Sequence, residues 1–414
     1  MTRYIEPLTI GYDWEMAVLK KTAENVTEDD VTWLSDELRR RLPWGKTGTD
    51  LELVESRIGP VRSFAEILAK SERFELELRQ ALARRGWILL RSGTRPFERE
   101  PVGAHIHVGT VRDWTAAIRI QNGMARYVAP LAALMANSPI YRRRAGDYKS
   151  YRVASFAEWC SAPQAIVDPS FSRPDWGGDV STKLALGSTV ELRVGDGVGS
   201  TRLMCEVVAL VAGLMHHVAE READRRLSEE DYNTIMVNRW RAAKYGLQAV
   251  LTWDGEEVPV QTVLTSMVEL AEDGMELLGA SRADLRTVRT MLRKRQTQAD
   301  FQLVVFAKER GDAHRFTRTM ANIQRDPAAF EKYLRRAQIL PVVSPADYPE
   351  RLLSAIEVET PYPLLLRQTP LAPAALDALL ARFVREGRLL EGRSKLGIRL
   401  YTRAELAHGG EPRA

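Results

Sequence analysis

"GAHIHVG", residues 103–109, sets two of the chain's six histidines two positions apart between glycines. Ala104, Ile106 and Val108 alternate with His105 and His107, and a period of two is the signature of a strand with one apolar and one polar face. The stretch therefore predicts a strand that presents both imidazoles on the same side. Imidazoles are poor strand residues unless something uses them. If this reading decides the fold, other strands should carry ionisable groups on the same face.

Three more stretches answer that description. Residues 6–19, "EPLTIGYDWEMAVL", alternate and put Asp13 and Glu15 on one face. Residues 47–60, "TGTDLELVESRIGP", read as one strand carrying Glu52 and Glu55, stopped by Gly-Pro. "GSTVELRVGDG", residues 187–197, adds Glu191, Arg193 and Asp196. Between them the spacing predicts a helix over 63–85 ended by Gly86, helices over about 113–122 and 124–136, and site-covering loops over 140–180. From Thr201 to about Phe330 the pattern is helical, interrupted near "TWDGEEVPV".

The 414 residues include 59 basic and 55 acidic side chains, a formal charge of +4, with 45% hydrophobic residues. That is the balance of a soluble globular protein, and the excess of positive charge is too small to make nucleic acid the expected partner. No stretch reads as a signal peptide or membrane span, so a cytoplasmic protein is expected. Cys160 and Cys205 lack the spacing of a zinc site or disulfide framework, and Cys205 sits in an apolar helical run that suits core packing. The expected organisation is a core over 1–330, with its sheet in about 1–200 and its helices in 201–330. An extension over 331–414 follows, where a Pro-rich connection, one helix and the "IRLYT" strand suit a small winged-helix-like module or a helical packing extension.

Carboxylates gathered on one sheet face could not all stay ionised against apolar surroundings. Divalent cations resolve that conflict, and carboxylate oxygens with few imidazoles suit magnesium or manganese, ions that hold nucleotide phosphates. For any one strand a solvated polar face is the plainer explanation, but four such strands favour the metal. Neither G-x-x-x-x-G-K-[ST] nor a helix-opening G-x-G-x-x-G occurs, so phosphates would be held by metal and basic side chains. Arg142, Arg143, Arg144, Lys149, Arg152, Lys183 and Arg193 are the basic candidates.

The ordered pieces "GYDWEM", "LELVESRIGP", "GTRPF", "GAHIHVGT", "LAALMANSPIY", "GDYKSYR", "TVELRVGD" and "NRWRAAKYGL" resemble the glutamate-cysteine ligase type 2 family, also called carboxylate-amine ligases, over about residues 8–325. The resemblance implies an α+β fold: a bent antiparallel sheet with helices packed outside, related to glutamine synthetase, then a helical segment and a small C-terminal module. It implies ATP and magnesium or manganese as cofactors, in a reaction that phosphorylates a carboxylate and lets an amine attack it. The metal ligands are then expected among Asp13, Glu15, Glu55, His105 and Glu191, with Glu52 left open beside Glu55. His105, His107, Arg152, Lys183 and Arg193 would contact the nucleotide, and Arg152, Arg193 and Glu191 would serve the chemistry. The expected partners are a small-molecule or peptide carboxylate and an amine, with no membrane; a homodimer is a further expectation.

Two departures bear on substrate and turnover. Asp13 stands where the family's G-x-E-x-E start has glutamate, one methylene longer. Ser181, in "DVST", stands where its D-I-R-P run has arginine, so a grip on a substrate carboxylate is missing. These departures leave open a binding module that has lost turnover, and the same ions would also suit a metal-dependent amide hydrolase. Asn238, Trp240, Arg241, Lys244 and Tyr245 form a helix face that the resemblance, though not the pattern alone, brings toward the site.

Overall fold

The computed structural model describes residues 5–50, 52–98, 100–155, 178–183, 188–222, 229–343 and, further on, 353, 356, 360–362, 365, 373–394 and 398–404. Cys160 and most of the loop expected to cover the site lie outside the described residues.

The first half alternates strand and helix: β1 (Ile5–Lys20), α1 (Glu28–Arg41), β2 (Lys46–Asp50), β3 (Leu53–Val61), α2 (Phe64–Arg85), β4 (Trp87–Leu90) and β5 (Gly103–Val111). Next come α3 (Trp114–Met124), α4 (Val128–Met135), the short pair β6 (Ile140–Tyr141) and β7 (Arg144–Ala145), α5 (Tyr151–Ser155), β8 (Val180–Lys183) and β9 (Thr189–Asp196). Helix α2 begins and ends where the sequence says it should. Ser63 Oγ accepts a hydrogen bond from Glu66 N at 3.2 Å, and Gly86 closes the helix at φ 67°, a conformation glycine adopts without a steric penalty.

Seven strands form one antiparallel sheet in the order β2-β3-β1-β5-β9-β8, with β4 paired to β1. Residues 47–60 are a correction to the sequence reading: they are two strands, β2 and β3, joined by a tight turn that leaves Asp50 opposite Leu53. Asp50, Leu51, Glu52 and Leu53 alternate across the turn itself and the phase slips only at Leu53-Val54, so the reversal leaves little mark on the period. The pairings of β1 with β3, β1 with β5 and β5 with β9 each carry one register shift, the kind of irregularity that raises local twist.

The even-numbered side chains Tyr12, Trp14 and Met16 of β1 enter the main apolar core. Asp13 and Glu15 point the other way. Beyond Glu15 that second face is apolar as well: Ala17 and Leu19 join Leu53, Leu90, Val102 and residues of α11 and α12 in a second cluster. The elements after β9 are α6 (Thr201–Arg221), α7 (Glu229–Tyr245), β10 (Val250–Trp253), β11 (Glu256–Pro259), α8 (Val260–Leu270), α9 (Glu272–Leu277), α10 (Arg286–Lys294), α11 (Gln298–Lys308), α12 (Ala313–Ile323) and α13 (Ala329–Arg336). Helix α6 is long and apolar enough to cross a membrane, yet every residue from Leu203 to Met215 is buried inside the fold. Cys205 lies within it, its thiol pushed up to about 12 by burial, in keeping with a packing role.

An ion-pair knot joins α2 to β4. Arg91, 1% exposed, bonds Glu75 at 3.0 Å and lies over the Trp14 ring, while Arg79 and Thr201 also contact Glu75. Burial would raise the Glu75 carboxyl, but Arg91, Thr201 and Arg79 outweigh it and hold the group down at about 2. A carboxyl lowered in the folded state stabilises the fold above its unfolded value and loses that contribution as pH falls through the folded one. Unfolding curves should therefore show roughly 3 kcal/mol lost between about pH 4.5 and 2. Glu75→Gln should be less stable at neutral pH and flatter across that window.

The C-terminal residues contain β12 (Thr360–Pro361), α14 (Pro373–Arg385), β13 (Leu389–Arg393) and β14 (Arg399–Arg403), with strand order β12-β14-β13. Leu376, Leu380, Phe383, Leu389 and Tyr401 make an apolar cluster of their own. Phe330 and Leu334 of α13 belong to the main core. We propose that the extension begins after α13 and is a helix-and-wing module.

Candidate active site on the sheet

Strand register decides which side chains meet. Glu15 lies opposite Glu55 and Asp13 opposite Arg57; on the other side of β1, Asp13 lies opposite His105. His107 lies opposite Glu191, which lies opposite Ser181 on β8. Cross-strand partners share a face, so five strands turn their ionisable groups to one side. They line a cavity of about 970 Å³ that also includes Lys183, Arg193, Arg57 and Arg62.

The floor of this cavity needs glycine. A Cβ on Gly59, which sits at φ 127°, would come within 2.7 Å of Gly11 Cα, and one on Gly11 within 2.8 Å of Ile58 O. Backbone there meets backbone, and glycine is what lets β1 and β3 approach so closely at this part of the cavity wall.

At one end Glu15, Glu55 and His105, all buried, offer three ligand atoms within 4.8 Å of one another. Burial, Asp13 and Glu15 push the Glu55 carboxyl up to about 7, although Arg57 opposes them with a 2.6 Å bond from Nε. Two oxygens and one nitrogen, in a place where carboxylates repel one another, fit a hard divalent cation. His105 is held well below its ordinary value by burial and by Arg193, so it is a neutral imidazole with a lone pair to give.

Glu191 is the hub. It is 2% exposed, with His105 Nδ1 at 3.4 Å, His107 Nε2 at 3.6 Å, Lys183 Nζ at 3.5 Å and Arg193 Nη1 at 3.1 Å. Burial alone would raise its carboxyl, but the positive charges of Arg193, His107 and Lys183 beside it pull it down. His107 is raised: burial works against its charge, and Asp13, 3.3 Å away, and Glu191 overcome that. Arg152 is buried on α5, donating from Nη1 to Arg193 O at 2.8 Å.

The structure does not bring every candidate here. Glu52 sits at the β2–β3 turn and pairs with Arg95 at 2.6 Å, outside the group of Glu15, Glu55 and His105. Reversal of the chain at the turn is what separates the two acids. Arg142, Arg143 and Arg144 are exposed around the β6–β7 turn, and Lys149 is committed to Asp300 at 2.6 Å. On α7, Asn238 bonds Thr252, Arg241 pairs with Glu257, and Lys244 lies over Trp240 and Tyr245. The residue of that helix that comes closest to the site's framework is Arg239, which the sequence reading passed over; it grips Asp179, whose carbonyl accepts from Arg193 N. Arg57 was also missed, although its place two residues after Glu55 was the available signal.

The family profile described as glutamate-cysteine ligase family 2 matches residues 101–176 and 175–317, more than half of the chain. A protein of Cronobacter sakazakii, provisionally named glutamate–cysteine ligase 2, is 25% identical over 328 residues, spanning 67% of this chain and 86% of that one. One of Rhodospirillum rubrum with the same name is 29% identical over 301 residues, spanning 66% and 72%. The glutamate–cysteine ligase of Francisella tularensis, solved in complex with AMP, superposes with a TM-score of 0.51 over 81% of this chain and 92% of that one at 12% identity, which shows a common fold. With this profile match and this architecture, the chain belongs to glutamate-cysteine ligase family 2, the ATP-dependent carboxylate-amine ligases.

Proposed function

We propose that this protein joins a carboxylate to an amine through an acyl phosphate, with ATP as phosphoryl donor and a divalent cation, magnesium or manganese, at Glu15, Glu55 and His105. The observation that carries the reading is one cavity with a buried carboxylate–imidazole triad at one end and Lys183, Arg193 and Arg57 beside it. The cation, when bound, neutralises phosphate oxygens. Asp13 and Glu191 flank the triad, each within about 4 Å of a histidine, and keep that histidine oriented.

The chain's own part in the reaction is positioning and charge. Arg193 and Lys183 stand beside Glu191 where they can bind a transferring phosphoryl group, and the neutral His105 adds no opposing charge. The substrate carboxylate oxygen attacks the terminal phosphorus, and the bond to ADP breaks. The amine nitrogen then attacks the acyl carbon, phosphate leaves with its oxygen, and the nitrogen gives up a proton.

Incubation with ATP, magnesium and a panel of carboxylates and amines should release ADP and phosphate in an amine-dependent manner, and a chelator should stop it. AMP and pyrophosphate as products would reject the acyl-phosphate route. Release of a carboxylate and an amine from an amide without ATP would favour the hydrolase reading.

Specificity is expected to follow Ser181. Ser181 is buried and lies opposite Glu191 on the same sheet, next to the residues that line the cavity. A serine there cannot make the bidentate contact an arginine makes to a carboxylate. Free glutamate should be a poor acyl donor compared with a less anionic acid or a peptide C-terminus, and Ser181→Arg should improve it. Mass spectrometry of the amide products of both proteins checks this; efficient glutamate use by the native protein, unchanged by the substitution, would refute it.

A further inference from the structure

Three pieces of the sequence, "ANSP", "GDYKSYR" and the end of "TVELRVGD", have no task in the chemistry above. The structure brings them to one point. Asp196, the last residue of β9, is 1% exposed and accepts three hydrogen bonds: Oδ2 from Asn137 N at 2.6 Å and Ser138 Oγ at 2.8 Å, Oδ1 from Ser150 Oγ at 2.8 Å. The two hydroxyls pass the contact on. Ser138 Oγ accepts from Arg152 N at 3.2 Å, and Ser150 Oγ accepts from Val153 N at 3.1 Å. Both sides of the carboxylate thus end on the backbone that carries Arg152.

The guanidinium of Arg152 is held by the same strand, through Arg193 O at 2.8 Å. Its Nη2 and the Nε2 of His105 each lie 2.9 Å from the point above Gly103 where a Cβ would stand. Arg152 therefore borders the triad's imidazole, over a glycine that leaves space for it. Gly93 leaves space on the far side, since a Cβ there would lie 2.6 Å from Asp196 Cβ and Cγ.

A buried carboxylate is costly unless every lone pair has work. Asparagine is nearly the same shape but offers one acceptor oxygen and sets an N–H₂ against a donor. Three donors converging from two loops call for a carboxylate. Resting on the function proposed above, we infer that Asp196 is a positioning residue: through Ser138 and Ser150 it fixes the Arg152 guanidinium beside His105, where it reads the terminal phosphate of a nucleoside triphosphate.

Calorimetry in magnesium with a non-hydrolysable ATP analogue and with ADP tests this without turnover. The native protein should prefer the triphosphate. Arg152→Lys keeps the charge but loses the planar fork, and should cut the preference about tenfold. Asp196→Asn should cut it by a similar factor of about ten, and the double variant should be no worse than either single one, because both act through the same guanidinium. Ser150→Ala should cut it by about threefold, half the relay being left, and decides the matter if Asp196→Asn does not fold.

Equal weakening of both nucleotides by Asp196→Asn, or losses that multiply with Arg152→Lys, would overturn the inference. A preference sensitive to Arg152 but indifferent to Asp196 and Ser150 would overturn it while leaving the ligase reading intact. A native protein that binds no triphosphate would remove both.

Discussion

Glu191→Gln is expected to lower turnover by about a hundredfold or more. The substitution keeps the side chain's shape and removes a charge on which two imidazoles, a lysine and an arginine converge within 3.6 Å. Without it Lys183 and Arg193 face each other with no carboxylate charge between them, and the Nδ1 of His105 is left with an uncharged amide. The imidazole is then held less firmly toward Glu15. Magnesium affinity and turnover should fall together in a titration of rate against magnesium. A fall in turnover at unchanged magnesium affinity would place Glu191 among the phosphate-orienting groups alone, and unchanged kinetics would remove it from the site.

The largest loss of stability is expected from Asp179→Ala. Asp179 is wholly buried and paired two-fold with Arg239, itself 3% exposed, at 2.7 and 3.1 Å; Arg239 also donates to Val153 O at 2.8 Å. Burial raises the Asp179 carboxyl and Arg239 opposes that shift. Removing one member strands the other in the interior, at a cost of about 3–5 kcal/mol. Denaturant unfolding of Asp179→Ala and Arg239→Met should both show it, and the pair of substitutions together should cost less than their sum. The pair ties α7 to the start of β8 and to α5, the helix that carries Arg152, so activity should fall with stability in the single variants.

Much of the site was legible because a strand repeats every two residues. Asp13 with Glu15 and His105 with His107 could be assigned to one face from spacing alone, and the register places them together. Spacing says nothing about which face partners which strand, so the meeting of Glu15 with Glu55 had to come from the fold. It also cannot mark a turn whose residues continue the alternation. Glu52 and Glu55, three positions apart, would fall on opposite faces of a single strand, so spacing alone could not say which of them joins the site; Glu52 ends beside Arg95. Arg239 was harder to see for a different reason, as was the task of Asp196, a carboxylate the strand pattern had already picked out. Each holds another part of the chain, and a residue that serves a distant loop leaves no local period.

Helix α6 sets an order on the making of the protein. Its neighbours on one side, α2, α3, β1 and β5, are translated before it; on the other, α8, α9 and α10 come after it. A chain leaving the ribosome must therefore keep a membrane-length apolar segment soluble until α10 has emerged, at residue 294. During that interval a bilayer or a chaperone can compete for it. The rate of elongation between residues 221 and 294 becomes a determinant of yield, separate from the stability of the finished fold.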